Sequence, residues 1–131
     1  MSKKQVHLTK SEEQLMSIFW DRGIPMTSVD IVKMNIKPTW TNGLVHNMIR
    51  SLIKKGMLLE CGTVQYATQY ARQFQPAMTK EEYAAKLALS VGILKEDVTK
   101  VMVALTRETG KDPEVIEELE EVIRRIKKEQ E

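Results

Sequence analysis

The stretch from Thr41 to Lys55 constrains the fold more than any other part of this sequence. Its apolar residues come in neighbouring pairs at every fourth position, at Leu44, Val45, Met48, Ile49, Leu52 and Ile53. This spacing predicts an amphipathic helix that buries one continuous face against a core. Thr39 or Thr41 can cap its start, and Gly56 can take the left-handed conformation that ends a helix. The opposite face is polar and carries Asn42, Gly43, His46, Asn47, Arg50, Ser51 and Lys54.

Two helices are predicted ahead of this one, the first from about Thr9 to Gly23. Thr9 and Glu12 have the spacing of a capping box, in which the two side chains satisfy otherwise unpaired backbone amides at a helix start. Pro25 breaks the chain, and a brief second helix then runs to about Met34. Pro38 disfavours helical conformation in the residue before it, which predicts a turn between the second and third helices.

After the third helix the pattern changes, because the segment from Met57 to Pro76 is rich in residues that favour β-strands. We predict a β-hairpin there. Gly62-Thr63 and the region from Gln65 to Thr68 both qualify as its turn, and the spacing of apolar residues favours the latter. Three short helices followed by a hairpin is the order of a winged helix-turn-helix domain. The predicted fold is mainly α with a small β-hairpin wing, in an N-terminal domain of residues 1–76.

Residues 77–131 are predicted to form short amphipathic helices and to act as a C-terminal dimerisation domain. Such a segment cannot bury enough apolar surface to be stable alone, so it needs a partner. A second copy of the chain is the simplest one. Packing on the chain's own N-terminal domain is the alternative, and it is less favoured because the linker around residues 73–77 leads away from the completed hairpin. The residues expected at the dimer surface are apolar and follow helical spacing; they are Tyr83, Leu87, Val91, Val98, Val101, Met102, Leu105, Val115, Leu119, Val122 and Ile126.

Charge is distributed unevenly between the two predicted domains. Residues 1–76 carry 10 Lys and Arg against 5 Asp and Glu, a net charge of +5, whereas residues 77–131 carry 10 against 13, a net charge of −3. A basic N-terminal domain is attracted to phosphates. A helix with one buried face and one face of amides and cations is suited to the major groove of double-stranded DNA.

The third helix therefore supplies most of the predicted DNA-binding site. The residues expected near base edges are Thr41, Asn42, Gly43, His46 and Asn47, and those expected on phosphates are Arg50, Lys54 and Arg72. Thr39 and Trp40 complete the site at the start of the helix. Trp40 is expected to combine packing with a contact to the DNA backbone through its indole N–H.

Other classes of protein find little support in the sequence. It has no glycine-rich phosphate loop, no GxSxG turn and no paired carboxylates on a predicted cleft wall, so we predict neither an enzyme nor a bound cofactor. His7, His46 and Cys61 lack the close spacing of metal ligands, so no metal site is predicted. No apolar run is long enough for membrane insertion. The absence of a secretory signal and the single cysteine favour the cytoplasm.

Five motifs occur in order along nearly the whole chain. They are Glu12 to Gly23 with its Trp-Asp-Arg-Gly end, Trp40-Thr41, Leu52 to Leu58 with the sequence Leu-Ile-Lys-Lys-Gly-Met-Leu, Phe74 to Pro76, and Thr79 to Tyr83. In this combination they resemble the penicillinase-repressor family of bacterial winged-helix regulators, of the BlaI/MecI type. The resemblance implies a homodimeric repressor on a palindromic operator of β-lactamase or related operons. It also implies a regulatory protease or membrane receptor that triggers cleavage of the dimerisation segment.

The chain departs from the family pattern at three places. Gly43-Leu44 replaces a Lys-Thr pair that is usual on the third helix, the segment from Met57 to Ala71 has no Lys or Arg, and the C-terminal domain has no Asn-Phe cleavage pair. Two alternatives to an operator-binding repressor therefore stay open. One is a winged-helix module that binds a protein through the third helix, and the other is a ligand-sensing regulator with a pocket lined by some of the eight methionines.

Overall fold

The computed structural model describes residues 7–109 and 113–130. They form six α-helices and one three-stranded antiparallel sheet, which confirms the predicted fold class. The elements are α1 Lys10–Arg22, β1 Met26–Thr27, α2 Ser28–Lys33, α3 Asn42–Lys54, β2 Leu58–Tyr66, β3 Gln69–Pro76, α4 Lys80–Ser90, α5 Val98–Thr109 and α6 Pro113–Glu129. The chain divides into two compact units, which we call the head, ending at Val91, and the tail, beginning at Gly92. The domain boundary expected after residue 76 stays a prediction.

Capping interactions fix the ends of the helices in the head. At the start of α1, the Glu12 N–H donates to Thr9 Oγ1 at 3.1 Å and the Thr9 N–H donates to Glu12 Oε1 at 2.9 Å. Gly23 ends α1 with a left-handed φ of 66°, a conformation that costs a residue with a Cβ atom. Thr27 and Asp30 form a second capping box at the start of α2. The predicted start of α1 is confirmed.

The hairpin of β2 and β3 is the wing of the fold. Its two-residue turn, Ala67-Thr68, follows the paired residues Tyr66 and Gln69, within the region that the sequence favours. β1 adds a third strand only at the base of the wing, where it pairs with Gln73 and Phe74. The register of the hairpin shifts at Cys61, which forms a bulge in β2.

The core of the head lies between the helices and the sheet. Its buried apolar residues are Leu15, Met16, Phe19, Met26, Ile31, Trp40, Val45, Met48, Ile49, Leu52, Met57, Leu58, Phe74 and Tyr83. The buried stripe of α3 is narrower than predicted, because Leu44 and Ile53 are 39% and 40% exposed. These two residues lie in the first and last turns of α3, where the helix reaches past the edge of the core.

Helix α4 belongs to the head. The Trp20 indole N–H donates to the Met78 carbonyl at 3.0 Å, and the rings of Trp20 and Tyr83 lie 5.8 Å apart. The Tyr83 hydroxyl donates to Glu13 Oε2 at 2.8 Å; burial, together with this carboxylate, raises the pKa of Tyr83 well above its usual range. Tyr83 and Leu87 were expected at a dimer surface, but Tyr83 is a core residue of the head and Leu87 packs against that core.

The tail, taken by itself, has no core of its own among the residues that the structure describes. Neither α5 nor α6 contains a buried residue. An apolar groove of about 560 Å³ is lined by both helices, with Met102 and Val103 from α5 and Ile116, Leu119 and Ile123 from α6. The helix end predicted at Gly110 and the helix start predicted at Asp112 lie outside the described residues.

Candidate nucleic-acid interface

Helix α3 has one face in the core of the head and one face in solvent. Val45 and Leu52 are fully buried, and Met48 and Ile49 are nearly so. The residues of the opposite face are exposed; they are Asn42, Gly43, His46, Asn47, Arg50 and Lys54. No acidic residue occurs between Asn42 and Lys55, so the formal charge on the exposed face is entirely positive. This combination is suited to a polyanion that also offers hydrogen-bonding base edges.

Both ends of α3 are held in place. Thr41 Oγ1 accepts a hydrogen bond from the Leu44 N–H at 3.3 Å at the start of the helix. At its end, Gly56 has a left-handed φ of 79°, and the Met57 N–H donates to the Leu52 carbonyl at 2.8 Å. The exposed face is therefore presented by a helix with a fixed beginning and a fixed end.

An ion pair ties the end of α3 to α1. Lys55 Nζ lies 2.7 Å from Oε1 of Glu12, whose side chain is only 5% exposed. Burial alone would raise the pKa of Glu12, but hydrogen bonds from Lys55, Ser51 and Thr9 outweigh it and hold the pKa below its ordinary value. The carboxylate is therefore ionised at neutral pH and positions the C-terminal end of α3.

Helix α2 also contacts α3. Ser28 Oγ and His46 Nε2 are 3.3 Å apart, which joins the first residue of α2 to the exposed face of α3. Ile31 of α2 is 1% exposed and lies in the same core as α3. The two helices thus form the compact pair of a helix-turn-helix.

A groove of about 560 Å³ separates this helix pair from the wing. Lys33 of α2, His46 of α3 and Arg72 of β3 all line it. Arg72 forms an ion pair with Glu60 at 3.1 Å, but the two side chains are 70% and 48% exposed, and such exposed pairs contribute little and exchange partners readily. The groove therefore has cationic side chains on both its helical and its strand walls.

The structure places the predicted DNA-binding residues as follows. Nine are exposed in the head: Thr39, Thr41, Asn42, Gly43, His46, Asn47, Arg50, Lys54 and Arg72. The tenth, Trp40, is 6% exposed and belongs to the core. We therefore assign Trp40 a packing role and not the mixed role expected for it, because so little of its surface can reach a partner.

Two residues near this interface are absent from the predicted set. Lys33 lines the groove, and Tyr66 reaches from the wing to α2, with Lys33 Nζ 5.6 Å from the centre of its ring. Lys33 and Tyr66 come close together only because the wing packs against α2. No local sequence pattern encodes that packing, although a lysine at the end of a predicted helix next to the third helix was a weak signal.

The described residues were also compared with the requirements of metal sites and of membrane-spanning helices. No group of three or more His, Cys, Asp or Glu side chains in this part of the chain is arranged to hold a metal ion. Among its helices, none combines the length and the apolar character that crossing a membrane requires.

Comparison with known proteins places the chain among transcriptional regulators. No curated protein matches it. A family model described as penicillinase repressor matches residues 8–125, which include the whole helix-turn-helix, the wing and most of the helices of the tail. This family consists of regulators of transcription and not of enzymes. The chain belongs to the penicillinase repressor family and, with it, to the DNA-binding transcriptional repressors.

Proposed function

We propose that the protein is a homodimer that represses transcription by occupying a twofold-symmetric DNA operator. The observation that carries the proposal is the division of α3 into a buried apolar face and an exposed face of amides and cations. A helix of this kind fits the major groove of B-DNA, about 12 Å wide, and presents its N-terminal residues to base edges.

The roles of individual residues follow from their positions on α3. Thr41, Asn42, Gly43, His46 and Asn47 occupy its first half and would face base edges, where an asparagine can make two hydrogen bonds to adenine. The side chains proposed for phosphates are the cations Arg50, Lys54 and Arg72, joined by Lys33 of the groove.

Two substitutions test this division of roles. Lys54→Ala should weaken binding to all sequences evenly and reduce the slope of log affinity against log salt concentration by about one unit. Asn47→Ala should cost about 1–3 kcal/mol on the preferred sequence and relax selectivity at one base position. Binding sites selected from a random DNA pool provide the assay. Equal losses on operator and random DNA for both variants would contradict the assigned roles.

The tail is the proposed dimerisation surface. Many of its apolar side chains are exposed, including Val98, Leu105, Ile116, Val122, Ile123 and Ile126. A two-helix unit with no buried residue among those described gains stability by burying this surface against a second copy. The predicted dimer residues Val101, Met102, Val115 and Leu119 of the tail also remain candidates and are half-buried, as does the exposed Val91 at the end of the head.

Sedimentation of the full chain over a range of concentrations tests the dimer. We expect twice the monomer mass for the wild type and a shift to monomer for Ile123→Glu, because the introduced charge would lose its solvation in the interface. Glu118→Gln, on the exposed surface of α6, is the matched control and should stay dimeric. A wild-type chain that sediments as a monomer at all concentrations would exclude the dimer.

A winged-helix module that binds a protein is the second candidate. Its specific support is the wing, which has no Lys or Arg between Met57 and Ala71 and exposes 70% of Tyr70. Titration of a random duplex into the protein separates the two candidates, since the repressor binds it with a steep salt dependence and the protein-binding module does not. The alternative of a methionine-lined ligand pocket is weaker, because Met16, Met26 and Met57 lie in the core.

A further inference from the structure

A single tyrosine joins the outer end of the wing to α2. Tyr66 is the last residue of β2. Its hydroxyl oxygen lies 3.0 Å from Thr27 Oγ1, and its O–H donates to Asp30 Oδ1 at 3.0 Å. A phenol has one hydrogen to donate. Since that hydrogen points to the Asp30 carboxylate, the Thr27 hydroxyl donates to Tyr66. The result is a directed chain of hydrogen bonds from Thr27 through Tyr66 to Asp30.

The Tyr66 hydroxyl forms hydrogen bonds with both members of the α2 capping box, Thr27 and Asp30. The Thr27 N–H donates to Asp30 Oδ2 at 2.9 Å, and the Asp30 N–H donates to Thr27 Oγ1 at 3.1 Å. Asp30 thus uses one carboxylate oxygen for the helix start and the other for the wing. The contact with Tyr66 is therefore made to a rigid point of the helix-turn-helix and not to a mobile surface side chain.

The rest of the wing has few other means of fixing its direction. β1 pairs only with Gln73 and Phe74, so between Gly62 and Arg72 the wing is a two-stranded ribbon. An isolated two-stranded hairpin is marginally stable in water. The bonds of Tyr66 span 36 and 39 residues of sequence and attach this ribbon at its outer end, beside the turn.

We propose that Tyr66 is a positioning residue, which holds the wing at the angle at which wing and α3 contact the same DNA duplex. This inference rests on the proposed function. Arg72 in β3 is the one cation that the wing offers to phosphates, and the longer part from Met57 to Ala71 has no Lys or Arg. With so little charge to attract its outer part, the wing gains most from a direction that is set beforehand, because ordering it during binding would subtract from the affinity.

Tyr66→Phe in the full chain tests the inference, since it keeps the ring and removes only the hydroxyl. A hydrogen bond to a charged group contributes enough that its loss should accelerate amide exchange in the outer wing by about tenfold or more. On the selected operator, we expect an affinity about three- to tenfold lower and a hydroxyl-radical footprint that retains its centre but loses protection at the flanks.

Tyr83→Phe is the matched control. It removes the same group from the same kind of bond, to the carboxylate of Glu13, at a distance from the wing. It should leave both the exchange of the wing and the flanking protection at wild-type values, whatever it does to stability. Asp30→Asn keeps an acceptor for the Tyr66 hydroxyl but removes its charge. Its operator affinity and flanking protection should lie between those of the wild type and those of Tyr66→Phe. It provides a second variant if Tyr66→Phe folds poorly.

The outcomes separate the two proposals. Operator binding by the wild type together with an unchanged footprint for Tyr66→Phe would overturn the positioning role alone. An equal loss of flanking protection in Tyr66→Phe and Tyr83→Phe would also overturn the positioning role, because a general loss of stability would then explain both losses. Absence of binding to any symmetric DNA by the wild type would overturn the proposed function and the positioning role together.

Discussion

Substitution of Glu12 by glutamine should destabilise the head more than its small change in shape would indicate. The side chain of Glu12 is 5% exposed and accepts from Lys55 Nζ at 2.7 Å and from the Thr9 N–H at 2.9 Å. Glutamine retains an oxygen for Thr9 but turns the charge-assisted bond from Lys55 into a weaker one with a neutral acceptor. The contact between the C-terminal end of α3 and α1 is thereby weakened.

The size of the effect follows from the burial of the two partners. Hydrogen bonds to charged groups contribute about 1.5–3 kcal/mol net and neutral ones about 0.5–1.5 kcal/mol, so the exchange should cost about 1–2 kcal/mol. The loss stays below the roughly 3–5 kcal/mol of a fully buried broken pair, because the Lys55 side chain is 32% exposed and regains water. For a unit of the size of the head, the melting temperature should fall by about 5–10 °C.

The same pair gives a pH dependence with a defined sign. The pKa of Glu12 is lower in the folded head than its ordinary value of 4.5, so its ionised form stabilises the fold fully above that value. This contribution is lost as the pH falls through the folded pKa. The difference in unfolding free energy between wild type and Glu12→Gln should therefore be complete at pH 7 and shrink below about pH 4.5.

Urea denaturation followed by tryptophan fluorescence measures both effects, since Trp20 and Trp40 both lie in the head. Glu60→Gln is the matched control, because Glu60 pairs with Arg72 at 3.1 Å in solvent and should change stability by less than about 0.5 kcal/mol. Equal stability of Glu12→Gln and wild type at pH 7, or a difference that persists undiminished in acid, would refute the reasoning.

Three further substitutions test the packing of the head by the same urea assay. Leu52→Ala removes a fully buried side chain of α3 and should cost about 2–5 kcal/mol; a loss below 1 kcal/mol would mean that α3 does not anchor the core. Gly56→Ala should cost about 1–2 kcal/mol through its left-handed φ alone, because its Cβ would meet no atom within 4 Å, and Gly56→Asn should cost less. Tyr83→Phe should cost about 1–2 kcal/mol, and no change would argue against the bond to Glu13.

Features encoded by near neighbours could be predicted from the sequence. The capping pair Thr9 and Glu12, the glycine at position 56 and the four-residue spacing within α3 each act over one or two helical turns, and the structure confirms them. The turn of the wing was predicted from the spacing of apolar residues on either side of it, which the register of β2 and β3 confirms.

Features that depend on distant packing were not predictable in this way. Trp40 follows a proline turn, and its own neighbours do not indicate whether its indole faces the core or a partner. Tyr83 lies on an amphipathic helix that could cover either the head or a second copy, and its bonds to α1 decide for the head. Tyr66 meets α2 across more than thirty residues, so its contact depends on the whole arrangement of the sheet.

The bulge at Cys61 bears on how this chain avoids aggregation through the edge of its sheet. β2 is an outer strand of the sheet, and the backbone groups on its free side could template a strand from another molecule. Because the register shifts at Cys61, these groups are not evenly spaced along the nine residues of β2, and a straight incoming strand cannot match them throughout. The irregularity thus discourages growth of the sheet from one molecule into the next, and it leaves self-association to helical surfaces.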